Sequence, residues 1–310
     1  MTEAPLTFLG LQETDLATAN AVLLPVPYEA TTSYGKGTAA APAALLQASA
    51  YVELYDEVRD CQPAVRGGGH TQVSGEDSLL ESQYWTASAV TFPAPFEPAM
   101  TAIYERAVEL VRPGRLLCAI GGEHSITAPL VAAHLHPYPD LHILQIDAHA
   151  DLRDSYEGSP LSHASAMARV VDQVDNRLTQ VGIRSICAED RQAIHSRRLP
   201  TFYAHSLQAK PTQDWITEVI ATLGPQVYLT VDVDGLDPAV VPSTGTPEPG
   251  GLSWWDTVEL IRRLGAERQI VGADVVELAV TGEREADRRS AFTVAKLTYQ
   301  ILAAALPRSL

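Results

Sequence analysis

Cysteine is scarce in this chain of 310 residues. Cys61, Cys118 and Cys187 stand far apart, and no Cys-x-x-Cys occurs. That argues against a cysteine-built zinc site and suits a reducing cytosol. Basic residues are also few, 22 Lys and Arg against 38 Asp and Glu, for a net charge of -16. No dense Lys/Arg cluster appears, so a nucleic-acid partner is not expected. The acid excess solvates the surface and draws cations weakly. The opening residues Met1-Thr2-Glu3-Ala4-Pro5 have no basic segment leading into an apolar one. No uncharged stretch is long enough to span a membrane. The greasiest helix candidate, near Glu285 to Leu306, carries Asp287, Arg288, Arg289 and Lys296 and reads as an amphipathic core helix. The expectation is a cytoplasmic protein with no membrane partner. There is no internal repeat, and Gly35-Lys36-Gly37-Thr38 lacks the spacing of a phosphate loop.

What is present is a hydrophobic fraction of 46%, ample for a large core. Apolar runs recur at Ala21 to Val26, Leu116 to Ile120, Ile143 to Ile146, Thr179 to Ile183, Val227 to Val231 and Ile270 to Val276. They are continuous rather than alternating, as in strands buried on both faces. Helical spacing fills Pro98 to Val111, Thr212 to Leu223 and Ser253 to Leu264, with Ser253 as an expected N-cap. Strands alternating with helices predict one α/β domain over residues 1–310, built on a mainly parallel sheet. The stretch from Cys61 to Pro98, rich in Gly, Ser and Pro, reads as surface excursions.

Ligands of parallel α/β sheets bind beyond the carboxyl ends of the strands. After Leu116 to Ile120 comes Gly121-Gly122-Glu123-His124-Ser125, two glycines for a tight turn, His124 at the strand end and Ser125 placed to cap a helix. After Ile143 to Ile146 comes Asp147-Ala148-His149-Ala150-Asp151. In an extended chain these polar residues share one face. After Val227 to Val231 comes Asp232-Val233-Asp234-Gly235-Leu236-Asp237-Pro238, where Asp232 and Asp234 repeat the spacing and Asp237 reads as a turn residue. Buried together without a cation, such carboxylates and imidazoles would repel or stay unsatisfied. The donor set suits divalent metals such as Mn, Zn, Ni or Fe. His124, Asp147, His149, Asp151, Asp232 and Asp234 are too many for one tetrahedral ion. They suit two ions roughly 3.5 Å apart that activate a water. Glu277, after the last run, could face the same crevice.

Three motifs, "GGEHS" from Gly121, "DAHADLRD" from Asp147 and "DVDGLDP" from Asp232, resemble those of the arginase and agmatinase ureohydrolases. "STGTPEPGGLSW" from Ser243 and, more loosely, "YGKGTAAAPAALLQAS" from Tyr34 extend the resemblance over nearly the whole chain. It implies a three-layer α/β/α fold with a single parallel sheet and two manganese ions. By match, one ion would be held by His124, Asp147, Asp151 and Asp232, the other by His149, Asp147, Asp232 and Asp234, with Asp147 and Asp232 bridging. Asp151 would also accept a hydrogen bond from the attacking oxygen. The same ligands would also take nickel or cobalt. His163 takes the place of a proton-shuttle histidine, followed by Ala164 where many relatives have Gly. Glu277 takes the place of the acid that pairs with the guanidinium, and Thr246 that of a residue lining the substrate pocket. Homotrimers or homohexamers are implied as well.

The implied reaction is hydrolysis of a small cationic guanidino compound to urea and an amine, with agmatine, giving putrescine, as the expected substrate. Asp154 and Glu157, after the metal motif, would disfavour a substrate carboxylate, with Arg153 offsetting them. The alternatives are N1-aminopropylagmatine, guanidinobutyrate, guanidine and arginine, and, in a different class, a non-catalytic metal-binding partner protein.

Overall fold

The structure, a computed structural model, describes residues 6–65, 83–282 and 285–306. Residues 66–82, which include His70 and much of the Gly- and Ser-rich stretch, lie outside the described residues. Among the described residues, eight strands form one sheet: β1 (Ala21–Val26), β2 (Tyr84–Thr86), β3 (Leu116–Gly121), β4 (His142–Ile146), β5 (Leu178–Ile183), β6 (Thr201–Tyr203), β7 (Gln226–Asp232) and β8 (Gln269–Val276). Their order is β2-β1-β3-β8-β7-β4-β5-β6, and every pairing is parallel.

The helices are α1 (Ala41–Ser49), α2 (Glu97–Leu110), α3 (Thr127–His134), α4 (Ala166–Gln173), α5 (Ala188–Arg197), α6 (Ala204–Leu207), α7 (Thr212–Ala221), α8 (Trp254–Glu267) and α9 (Glu285–Ala305). Strand residues alternate between two hydrophobic clusters, one on each face of the sheet. Leu23, Cys118, Leu144 and Leu229 pack in one cluster with Leu45 of α1, Ile216 of α7, Ile261 of α8 and Leu297 of α9. Val22, Leu117, Ile143 and Tyr228 pack in the other with Ile103 of α2, Leu130 of α3, Val170 of α4 and Ile194 of α5. Helices on both faces make the arginase-like three-layer α/β/α arrangement. They also explain the continuous apolar runs, since both faces of each central strand are covered. Ser253 caps α8 as expected, its Oγ accepting the Asp256 N–H at 3.1 Å. No helix among the described residues is long and apolar enough to cross a membrane.

Two strands escape the sequence pattern. β2 and β6 lie at the two edges and have three residues each, too short for periodicity to register. β2 corrects part of the surface reading of Cys61 to Pro98, because its Tyr84 is fully buried against Phe8. The chain places β1 and β3 on one side of β8 and β7, crosses to β4, β5 and β6, then returns to fill the middle. The central strands β3, β8, β7 and β4 therefore end side by side at the crevice where the winding reverses.

Candidate metal centre and active site

The turn after β3 needs both of its glycines. A Cβ on Gly122 would overlap the Tyr28 carbonyl oxygen, and one on Gly121 would press on Ile126 at 2.5 Å. Glu277 ties this turn to the end of β8: its N–H donates to Gly122 O at 2.9 Å, and its Oε1 accepts the His124 N–H at 2.7 Å. Ser125 does not cap the helix that follows; its hydroxyl donates to Glu123 Oε1 at 2.6 Å. The carboxylate two residues back is a stronger acceptor, and it lies within the turn's own reach.

The acids after β4 and β7 converge, but not along an extended chain. β4 stops at Ile146, and Asp151 stands at φ 53°. The spacing of two comes instead from side-chain turns. Asp147 Oδ1 accepts the His149 N–H at 2.6 Å, and Asp232 Oδ1 accepts the Asp234 N–H at 2.9 Å, where Val233–Gly235 forms a single helical turn. Ala148 and Ala150 are fully buried, away from the polar cluster as expected. Asp237 is a turn residue, its carboxylate accepting from the N–H groups of Ala239, Gly250 and Gly251.

All six expected ligands come together. Donor atoms of His124, Asp147 and Asp232 lie within 4.8 Å of one another, as do those of Asp147, His149 and Asp234. Asp147 belongs to both groups and Asp232 to the first. Asp151 Oδ2 lies 3.1 Å from His124 Nδ1, beside Asp147 Oδ2 at 3.2 Å and Asp232 Oδ2 at 3.5 Å. His149 Nδ1 lies 3.0 Å from Asp234 Oδ2.

The hydrogen bonds beneath this cluster select one ring nitrogen of His124. Thr230 gives its hydroxyl proton to Asp274 Oδ1 at 2.6 Å, so toward His124 Nε2, 2.9 Å away, it acts as acceptor. Nε2 then carries the proton. The buried Nδ1, with no hydrogen-bond partner, turns its lone pair toward the carboxyl groups of Asp147, Asp151 and Asp232. That arrangement calls for a cation. Without one, protons take its place. Burial opposes charge on His124, but Asp147, Asp151 and Asp232 outweigh it and hold its pKa well above the usual imidazole value. Burial likewise works against His149, yet Asp147 and Asp234 push it up to about 12. Burial, then the Asp234 and Asp147 charges, raise Asp232 well above the carboxylate range, and burial with Asp147 raises Asp151. The residues present fit divalent ions bound by carboxylate and imidazole.

A cavity of about 240 Å³ opens over the cluster, lined by His149, Asp151, Asp232 and Asp234 and also by His163, Thr246 and Glu277. Burial, then repulsion by Glu123, raises the Glu277 pKa well above the usual range. Its backbone stands at φ 64°, a conformation that costs a non-glycine residue about 1–3 kcal/mol. Thr246 donates its hydroxyl to Asp234 Oδ2 at 3.3 Å. Asp154 and Glu157, expected to repel a substrate carboxylate, do not line the cavity. Asp154 points outward and pairs with Arg169 at 2.9 Å. Arg153 and Tyr156 line it instead, the guanidinium 4.8 Å from the ring centre.

Sequence reading passed over several residues that shape the site. Asp274 is fully buried and orients Thr230; a lone acid inside an apolar run was the available signal. Gln145 donates to Asp147 Oδ2 at 2.7 Å and accepts from Gln180 at 2.7 Å, both amides fully buried. Two glutamines in neighbouring buried strands were the corresponding signal.

Among the described residues, eight parallel strands between two helix layers carry a histidine–aspartate cluster at the central strand ends, which defines a three-layer α/β/α protein with a candidate metal centre. The Arginase family model matches residues 19–304, and the chain belongs to that family. It is accordingly a hydrolase of amidino C–N bonds, a ureohydrolase of guanidino compounds. It is 38% identical to the N(1)-aminopropylagmatine ureohydrolase of Synechocystis sp. over 97% of this chain and 94% of that protein. It is 31% identical to the agmatinase of Pyrococcus horikoshii over 95% of each. The fold matches proclavaminate amidino hydrolase from Streptomyces clavuligerus with a TM-score of 0.83 at 21% identity, covering 97% of both chains.

Proposed function

We propose that the chain hydrolyses agmatine to putrescine and urea. The observation that carries this reading is the charge of the cavity. Beyond the expected metal ligands, whose charge the ions would offset, Asp190 and Glu277 line it, and Arg153 is the sole Lys or Arg among the described lining residues. Arg153 is packed against Tyr156. Such a wall favours a dication without a carboxylate over arginine or guanidinobutyrate.

His124, Asp147, Asp151 and Asp232 would hold one ion and His149, Asp147, Asp232 and Asp234 the other, manganese by family resemblance. Bound divalent ions would supply Lewis acidity and bring the pKa of water close to neutrality. The protein's own groups do the rest. Glu277 pairs with the planar guanidinium through its carboxylate and sets the carbon facing the cluster. Thr246, fixed on Asp234, closes the wall beside it. The water gives up a proton to His163 as its oxygen bonds to the guanidinium carbon, the C–N bond to the alkyl amine breaks, and the amine leaves with that proton.

A second reading, N1-aminopropylagmatine, is favoured by Tyr34 and Ile186. Both line the cavity, and they are 83% and 36% exposed. They offer apolar surface at its mouth for a longer aliphatic tail. Urea release with manganese, measured across agmatine, N1-aminopropylagmatine, arginine, guanidinobutyrate and guanidine, separates these readings. Agmatine is expected to give the highest kcat/KM. A higher value for N1-aminopropylagmatine would replace the substrate, and no urea from any of them with two ions bound would overturn the reading.

A further inference from the structure

His163 is held from behind by a hydrogen-bonded chain that starts at a buried carboxylate. Glu123 is fully buried and accepts four hydrogen bonds: from the N–H groups of Ala30 and Thr31 at 2.6 Å each, from Ser125 Oγ at 2.6 Å and from Thr31 Oγ1 at 2.7 Å. Four donors onto two oxygens describe a carboxylate, which has no proton to give. Thr31 Oγ1 in turn accepts the His163 N–H at 2.9 Å and lies 3.2 Å from His163 Nδ1.

A hydroxyl has one proton and two lone pairs. Two acceptors compete for the Thr31 proton, Glu123 Oε1 at 2.7 Å and His163 Nδ1 at 3.2 Å. The carboxylate wins, because its bond is shorter and charge-assisted. Thr31 therefore has only lone pairs left for the imidazole, which favours the proton on Nδ1; Ser162 Oγ, 3.4 Å from the same nitrogen, is the longer and weaker contact of the two. Nε2, on the other side of the ring, is left as the nitrogen that exchanges a proton in the cavity. Thr31 itself does not line the cavity, whereas His163 does. Tyr156 meets the ring edge-on, with centres 5.8 Å apart, and limits its rotation.

We infer that Thr31, anchored by Glu123, is a positioning residue that holds His163 in its Nδ1–H form and so makes Nε2 the proton-transferring atom. This rests on the ureohydrolase reading only for its catalytic consequence; the tautomer itself is independent of it. The order of events follows. Neutral His163 takes up at Nε2 the proton that the attacking water loses, becomes the imidazolium, and gives that proton to the departing amine. Nδ1–H stays bonded to Thr31 throughout, so the ring need not flip between turnovers.

The test has two arms. The first is nitrogen NMR of histidine-labelled, zinc-loaded protein, whose diamagnetic ions keep the ring nitrogens observable, with the His163 signal identified by its absence in His163→Asn. With its imidazole neutral, the wild type should show a protonated Nδ1 and a bare Nε2, and Thr31→Val should lose that preference. A wild-type ring protonated at Nε2 overturns the inference, even if Thr31→Val fails to fold. The second arm is urea release from agmatine with manganese. Thr31→Val should lower kcat by about 10- to 100-fold with little change in KM, and Thr31→Ser should recover most of it. Unchanged kcat in Thr31→Val, or no recovery in Thr31→Ser, overturns the positioning role. Absence of urea from the wild type on every guanidino substrate, with the Nδ1–H form present, would instead sink the substrate reading and leave the inference standing.

Discussion

Thr230 Oγ1 lies 2.9 Å from His124 Nε2, and it can only accept there because its proton goes to Asp274 at 2.6 Å. The buried acid thus decides which nitrogen of His124 carries the proton, acting through a hydroxyl.

Thr230→Val keeps the shape of the side chain and removes that control. Metal affinity should fall by about 10- to 100-fold, the usual consequence of losing a group that orients a ligand histidine. Thr230→Ser should stay close to the wild type. Competition against a metal-buffering chelator measures both, and equal affinities in Thr230→Val would show that His124 is oriented by other means.

Glu277→Gln should leave two ions bound per chain while kcat/KM falls. Breaking one side of a desolvated charge pair costs about 2–5 kcal/mol, or at least about 30-fold in rate. Metal analysis beside steady-state kinetics checks both halves. Loss of an ion together with activity would place Glu277 among the ligands instead.

Gln145→Leu strips Asp147 of one donor and Gln180 of one of its two acceptors, both amides being fully buried. A stability loss of about 1–3 kcal/mol is expected, read from the urea midpoint of the metal-free protein. An unmoved midpoint would mean the amide pair contributes nothing to holding Asp147.

His134 makes stability depend on pH. Burial pushes its pKa down to about 4, so it folds neutral, its Nδ1 2.8 Å from Leu130 O. The unfolded chain binds the proton near 6.5 and the folded chain only near 4. This contribution is complete above pH 6.5 and is lost as pH falls toward 4, reaching about 2 kcal/mol at pH 5. His134→Gln cannot titrate. It should be less stable than the wild type at pH 7 yet lose less between pH 7 and pH 5, as denaturation at both values would show.

Much of this was legible along the chain. The six long strands were readable because both of their faces are buried, which leaves uninterrupted apolar runs. The donors His124, Asp147, His149, Asp151, Asp232 and Asp234 stood out as polar residues where those runs end. β2 and β6 were hidden by their length and edge position. Asp154 and Glu157 looked decisive because they follow the metal motif in sequence. The loop instead carries Asp154 out to Arg169 and turns Arg153 and Tyr156 inward.

By itself, the sequence determined the sheet, its two helix layers and the types of donor at the strand ends. Hydrophobic burial and local turn chemistry act between near neighbours, and they leave a readable period. Only the tertiary structure decided how the donors converge, through side-chain turns at Asp147 and Asp232 rather than an extended strand. It alone decided which ring nitrogens are free, because the partners that set them are remote. Thr230 lies 106 residues from His124, and Thr31 lies 132 residues from His163 and 92 from Glu123. A hydrogen bond between such distant residues leaves no spacing in the sequence, and the proton it assigns exists only once the sheet has brought them within about 3 Å of each other.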